Sequence, residues 1–513
     1  TLVLNDYNAT IHDGNYSFSA TNDFGISESQ AAEIRNISNI DFSDNSYSDR
    51  RPIFGIKTLN TEDNGYISLS NDNGFVVRKY DNNLNLDWQK SFRSKNGSID
   101  SAVTIIHSTD GGYLLAGTSG GYLSAGTSVR GGDKSQVSRD NFIPAKDFRS
   151  NQVYWKNGNF SDQITEYIQT NEKLFYVTDM NGGDFWIIKI DSNGNKIWDK
   201  TYGGNFSDRL TDAIQTIDGG YLLFGTSNSE ISGEKTKQVK YDLWKGGNHM
   251  RMTHDDGVDH IVAGYANSDY WLIKINGDGE KVWDFVYGGT KDEKARKIIR
   301  TTDGKYILSG ISYSSDGDKS VPFESRINQD QSLKNYYDEW FIKIETSGSI
   351  VWERTFLAPE HSTVERNLGP LDLIPTKEKG FLYVATNTSW SKYQRGAPLI
   401  GGERVLSDNN GSIYVVSFDE NASIDWQLNF GSVDGMRTYL GTWGDDGFVF
   451  AGNNTGENQL LVSKILFNGT HAWEKAYDFP KIGRTPTLPE ISKTKDQKLL
   501  LSGDEINRIN ANG

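Results

Sequence analysis

Cysteine is absent from all 513 residues. That removes disulfide staples, zinc–thiolate sites and thiol nucleophiles together, and leaves the redox compartment open. Proline is scarce, 10 residues against 53 glycines, so the chain is built to turn often without stiff linkers. Positive charge is in deficit: 53 Lys and Arg face 68 Asp and Glu, a formal net charge of −15. That sign is wrong for a surface that neutralises nucleic-acid phosphates. No run of about 18 apolar residues occurs, so no segment reads as a membrane-spanning helix. The opening TLVLNDYNAT lacks a basic stretch followed by an apolar one, so it does not read as a signal peptide; it reads as mid-domain sequence, expected of a processed product or of part of a longer chain.

What is present is repetition. The copies DFWIIKIDSNGNKIWDKTYGG at 184, DYWLIKINGDGEKVWDFVYGG at 269 and DEWFIKIETSGSIVWERTF at 338 alternate with DGGYLLAGTS at 110, DGGYLLFGTS at 218 and DGKYILSGIS at 303. Self-similarity of this length marks one supersecondary unit copied along a line or around an axis. Each unit reads as four short antiparallel strands, each nearly all apolar, with Gly-containing hairpin turns. Strands without a polar face need cover on both sides, and radially stacked sheets supply it. The expected fold is an all-β propeller. Second strands near Tyr66, Tyr113, Leu174, Tyr221, Tyr306, Phe381, Phe448 and Leu499 predict eight four-stranded blades, with seven or nine as alternatives. The last unit lacks a fourth strand, and residues 13–24, within an N-terminal segment of 1–50, are expected to supply it and close the ring formed by 51–513.

Trp88, Trp155, Trp198, Trp283, Trp352, Trp426 and Trp473 recur at one place in the unit and read as blade-packing wedges. The repeated Lys189, Lys274 and Lys343 read as rim residues. The turns beginning at Asp191 and Asn276 place Gly at position four, as a hairpin needs, rather than at position six of a calcium loop. His249, His254 and His260 fit neither HExxH nor a facial triad. No nucleophile elbow, phosphate loop or dinucleotide fingerprint is present, so no catalytic residue, metal or cofactor is assigned. Insertions at 119–139, 228–268, 313–337 and 387–411 are expected between the second and third strands of their blades, which gathers them on one face. They carry Tyr336, Tyr337, Trp390, Tyr393 and Arg395, residue types that anchor interfaces, and these are the candidate partner-binding residues.

The wording W-x-K-T-Y-G-G, D-G-G-Y-L-L-x-G-T-S and D-x-W-I-I-K-I-D-x-x-G, over roughly residues 55 to 510, resembles the repeat propellers of secreted and surface proteins in Bacteroidota, many exported by the type IX route. The resemblance implies an exported, outer-membrane-associated or adhesin-like binding protein with a surface protein or glycan as partner. Asp191, Gly194 and Trp198 are also spaced as in quinoprotein propellers. Those enzymes hold their quinone beneath adjacent cysteines, which this chain lacks, leaving a non-catalytic relative such as an outer-membrane assembly scaffold. A likeness to sialidase-like propellers keeps a glycoside hydrolase as the alternative function, although their arginine triad is not recognisable here.

Overall fold

The computed structural model describes residues 57–71, 74–94, 100–119, 183–204, 207–229, 231–240, 267–320, 338–357, 372–376, 380–387, 412–430, 438–443, 447–454, 459–478, 490–493, 499–502 and 506–509, together with short strands named below. Two compact units are present, Thr1–Pro52 and Ile53–Ala511. Among the described residues there is no helix long and apolar enough to cross a membrane.

Among the described residues the larger unit contains six sheets of four antiparallel strands, each in the order a-b-c-d. Sheet I is Lys57–Asn60, Tyr66–Asn71, Phe75–Tyr80 and Leu86–Phe92; sheet II is Asp100–His107, Tyr113–Ser119, Asp184–Ile190 and Lys196–Tyr202. Sheet III is Asp208–Gln215, Tyr221–Ser227, Asp269–Ile275 and Lys281–Tyr287; sheet IV is Glu293–Arg300, Tyr306–Ser312, Asp338–Ile344 and Ile350–Leu357. Sheet V is Asp372–Pro375, Phe381–Asn387, Ser412–Phe418 and Ile424–Phe430; sheet VI is Thr438–Trp443, Gly447–Asn454, Gln459–Leu466 and His471–Asp478. Sheet VII has three strands, Glu490–Lys493, Leu499–Ser502 and Ile506–Ile509. The a strands of successive sheets adjoin one another from I to VII, and that of VII also adjoins that of I.

Strands b and c are buried almost throughout because both of their faces are covered, whereas strand d and parts of strand a keep a polar, partly exposed face. In strand b of sheet III, Tyr221 and Leu223 pack with residues of sheet II, whereas Leu222 and Phe224 pack with residues of sheet IV. Aromatic side chains lock successive c strands: Phe75 lies 4.9 Å from Trp186, Phe185 5.1 Å from Trp271 and Tyr270 5.2 Å from Trp340 between ring centroids. The glycine of the G-T-S wording sits under this contact. A Cβ on Gly225 would lie 2.5 Å from the Phe185 ring and 2.2 Å from the Arg209 carbonyl, so no other residue fits without displacing the neighbouring sheet. The threonine that follows reaches across the seam, Thr118 Oγ1 accepting the Leu210 amide at 3.0 Å and Thr226 Oγ1 the Ala295 amide at 2.9 Å.

Two expectations are corrected by the strand pairing. Tyr113–Ser119 pairs directly with Asp184–Ile190, Tyr113 opposite Ile190, so among the described residues no separate sheet of the repeating kind has its second strand near Leu174. The side chains explain the choice. Lys189 reaches Asp110 in this pairing as Lys274 reaches Asp218 in sheet III. Residues 120–183 therefore all fall between strands b and c of sheet II. Within them, Tyr167–Gln169 and Phe175–Val177 join Asp259–Ala263 and Met250–Thr253 in a separate sheet whose central pair is parallel. The second correction concerns residues 13–24. Gly14–Tyr16 pairs with Ala32–Ile34 and Ser19–Asn22 with Gly25–Glu28, and among the described residues Ile506–Ile509 has Leu499–Ser502 as its single neighbour, so the described pairing does not place 13–24 as the fourth strand of the last sheet.

Candidate interaction face

The repeated side chains form three devices, each linking two elements. The first joins the a–b hairpin to strand c. Lys79, Lys189, Lys274 and Lys343 are buried rather than on a rim, and their ammonium groups meet Asp63 at 2.7 Å, Asp110 at 2.6 Å, Asp218 at 2.7 Å and Asp303 at 3.0 Å. Burial alone would raise the carboxyls of Asp63 and Asp218. Hydrogen bonds from the lysine, from Thr61 or Thr216 and from the Gly65 or Gly220 amide outweigh it and hold both at about 2. The lysine is buried because its stem runs along the sheet and its charge is met at the hairpin.

The second device joins strands c and d. Trp186, Trp271 and Trp340 are fully buried, and their indole N–H groups donate to Asp199 Oδ2 at 3.1 Å, Asp284 Oδ2 at 3.1 Å and Glu353 Oε2 at 2.9 Å. The third joins one sheet to the next. The strand-d tryptophans Trp88, Trp198, Trp283, Trp352, Trp426 and Trp473 are half-buried. Several dock on the c–d turn of the following sheet: Trp352 Nε1 donates to the Glu420 carbonyl at 3.0 Å and Trp426 Nε1 to that of Phe467 at 2.8 Å. Trp88 fits only because the next turn carries glycine, since a Cβ on Gly194 would lie 2.7 Å from its ring. Trp155 lies outside the described residues. In these turns the Asp191 carboxylate accepts the amides of Asn193 and Asn195 at 2.9 and 2.8 Å, so it serves the backbone.

The b–c connections of sheets III and IV begin with matching feet. Ser227-x-Ser229 is followed by Gly233-Glu234-Lys235-Thr236, and Ser312-x-Ser314 by Gly317-Asp318-Lys319-Ser320. Lys235 Nζ donates to Ser227 Oγ at 2.6 Å and the Ser229 carbonyl at 2.7 Å; Lys319 Nζ donates to the Ser314 carbonyl at 2.8 Å. The Glu234 amide bonds the Gly203 carbonyl at 3.0 Å and that of Asp318 the Gly288 carbonyl at 2.9 Å, tying each foot to the preceding fold segment. Thr236 and Ser320 donate their amides to Asp284 and Glu353, the same carboxylates that hold the buried tryptophans. The feet also meet each other, Lys240 Nζ lying 3.2 Å from Asp318 Oδ1. Burial pulls the Lys235 ammonium down to about 8, against the opposing pull of Asp208, Asp269 and Asp284.

The insertions at 228–268, 313–337 and 387–411 fall between strands b and c of sheets III, IV and V. In an antiparallel a-b-c-d sheet that connection leaves from the end at which strand a starts and strand d finishes. Tyr336, Tyr337, Trp390, Tyr393 and Arg395 lie outside the described residues, as do His249 and His254. The mounting residues Lys235 and Lys319 and the buried Trp186, Trp271 and Trp340 escape a reading centred on the strand-d tryptophans. Their signal is in the sequence nonetheless: G-E-K-T at 233 and G-D-K-S at 317 have a third copy, G-D-K-S, at 132.

No protein-family model matches the sequence, and no curated protein matches it. Among solved structures the chain is similar to the polysaccharide lyase Uly1, with a TM-score of 0.40 and 10% identity over 91% of this chain and 91% of that one. It is similar to an ACO/RPE65 chimera with a TM-score of 0.36 and 10% identity over 91% and 84%. A protein of unknown function from Bacteroides caccae gives 0.33 and 8% over 62% and 78%. Likeness at this level says nothing of activity.

Proposed function

We propose that the chain is a binding platform: a closed ring of seven propeller sheets that holds its insertions on one face for a protein or glycan partner outside the cell, and that catalyses no reaction. The observation that carries this reading is the pair of matching feet in sheets III and IV. A loop that only fills space needs no buried lysine at its base, whereas a loop that must present side chains in a fixed direction gains from a rigid mount. The adjacency of the first and last a strands supports the ring. The extracellular location rests on the resemblance of the repeats. The glycoside-hydrolase alternative finds no support among the described acids of raised pKa, since Asp208, Asp269 and Glu293 are wholly buried and out of reach of a substrate.

The test removes residues 241–266 and 321–337, beyond the feet, and replaces each with a short Gly-Ser linker. Glycan arrays and co-isolation with outer-membrane proteins are run on both proteins, with a glycosidase assay in parallel. Retention by the parent and loss in the shortened protein, without turnover, is expected. Unchanged retention, or turnover by the parent, contradicts the reading.

A further inference from the structure

The seam between sheets III and IV presses two acids together. Asp269 opens strand c of sheet III and Glu293 opens strand a of sheet IV, and both are 0% exposed. The backbone brings them there, because the Glu293 amide donates to the Ser268 carbonyl at 2.6 Å. Gly288 leaves the room they occupy: a Cβ at that position would lie 2.1 Å from Asp269 Oδ1 and 2.8 Å from Glu293 Oε2.

The donors around the pair are unequally shared. Glu293 accepts from Ser312 Oγ at 2.7 Å through one oxygen and from the Gly289 amide at 2.9 Å through the other. Asp269 Oδ2 accepts the Lys240 amide at 2.5 Å. Its Oδ1 finds no donor. An acceptor orphaned in a dry interior is costly, and two carboxylates within hydrogen-bonding reach of each other cannot both stay ionised there. A proton on Asp269 Oδ1, donated to Glu293, resolves both difficulties.

The neighbouring charges do not remove the need for it. Lys235 faces Asp269 from the foot of the sheet III insertion, but it also faces Asp208 from strand a and Asp284 from strand d. Asp208 Oδ2 is taken by the Gly204 amide at 2.6 Å and Ser229 Oγ at 2.8 Å. On the sheet IV side, Lys319 is held by the Ser314 carbonyl and Asp318 by the Gly288 amide at 3.1 Å and by Lys240 Nζ. Arg296 lies with Glu339, 3.3 Å away.

We propose that Asp269 and Glu293 share one proton in the native protein at neutral pH, and that this proton joins sheet III, sheet IV and the foot of the sheet III insertion into a pH-sensitive brace. Burial is the foremost reason that both acids are pushed above the ordinary carboxyl range, and for Asp269 the charge of Glu293 adds to it. A raised value in the folded state means that stability is fully present below about pH 4, where the unfolded chain is also protonated, and is lost as pH rises towards the folded value. In that window unfolding releases the proton.

Asp269→Asn tests this, because the Asn amide can donate to Glu293 where the proton did. Denaturant unfolding of both proteins is followed from pH 4 to pH 8. Relative to the variant, the unfolding constant of the parent is expected to climb by up to about tenfold per pH unit, the signature of one released proton. Parallel curves, or a parent that gains stability over the variant as pH rises, would overturn the proposal. Should the variant fail to fold, infrared spectra of the parent and of Asp208→Asn, both carrying carboxyl-labelled aspartate, decide. A protonated-carboxyl stretch at neutral pH in both proteins supports the shared proton; its absence from the parent, or its loss in Asp208→Asn, removes it.

Discussion

Sheets III and V occupy equivalent places in the chain and are held together by different chemistry. In sheet III, Lys274 is opposite Trp283 and reaches Asp218, while Trp271 binds Asp284. In sheet V the residue opposite the strand-d tryptophan is Ser417, and the positions of Tyr221 and Ile275 are taken by Phe381 and Phe418, stacked 4.8 Å apart. Phe381 also lies 5.7 Å from Phe341 of sheet IV. The same end of a sheet can thus be closed by a buried charge met at a hairpin or by stacked rings. The first choice makes stability depend on pH, and the second does not.

Substitutions sharpen the contrast, beginning with the largest effect. Trp271→Ala empties a fully enclosed site and leaves Asp284 without its indole donor, so a loss of ~3–5 kcal/mol is expected from denaturant unfolding. Trp198→Ala removes a half-buried ring from the Gly279 turn and should cost less, ~1–2 kcal/mol. Asp218→Ala leaves the buried Lys274 ammonium with Thr216 as its remaining side-chain partner and should cost ~1–3 kcal/mol, while Lys274→Met in the same background should recover part of that loss by removing the stranded charge. If Lys274→Met recovers nothing, the ion pair is not what the lysine is for.

Acid separates the two kinds of sheet without mutation. Asp63 and Asp218 stand at about 2, below the ordinary carboxyl value. Their contribution is present above about pH 4 and is lost as pH falls towards 2. Proteolysis with an acid-active protease should therefore open sheets I to IV at a higher pH than sheet V. Simultaneous opening of all sheets would show that the ion pairs do not set the order. The smallest expected effect is that of Asp191→Asn, within about 0.5 kcal/mol, because Asn276 and Asn468 already accept the turn amides in sheets III and VI.

Periodicity carried the all-β class and the four-strand unit, because apolar strands between Gly turns have few other ways to be covered. It failed where one signal served two purposes. The segment at 151–177 copies the wording of a unit, yet Tyr113–Ser119 pairs past it with Asp184–Ile190, since partner choice depends on long-range complementarity such as Lys189 with Asp110. Lys189, Lys274 and Lys343 look like rim residues from composition, since lysine is rarely buried unless paired; the pairing Asp lies 56 residues away for Lys274 and 79 for Lys189. Of the candidate face, the feet were legible as repeats of G-(D/E)-K-(S/T), but that their lysines are buried follows only from the serines and carbonyls folded around them.

The proposed platform is a closed ring of seven sheets that fixes its insertions on one side. The chain has no cysteine, so cysteine pairs can be placed freely, one along Lys57–Asn60 and one along Glu490–Lys493, and joined with a short bismaleimide in the dilute monomer. Closure requires at least one pair to cross-link efficiently within a single chain. Cross-links that form only between chains, or none at all, would mean that the first and last sheets do not meet and that the platform is open.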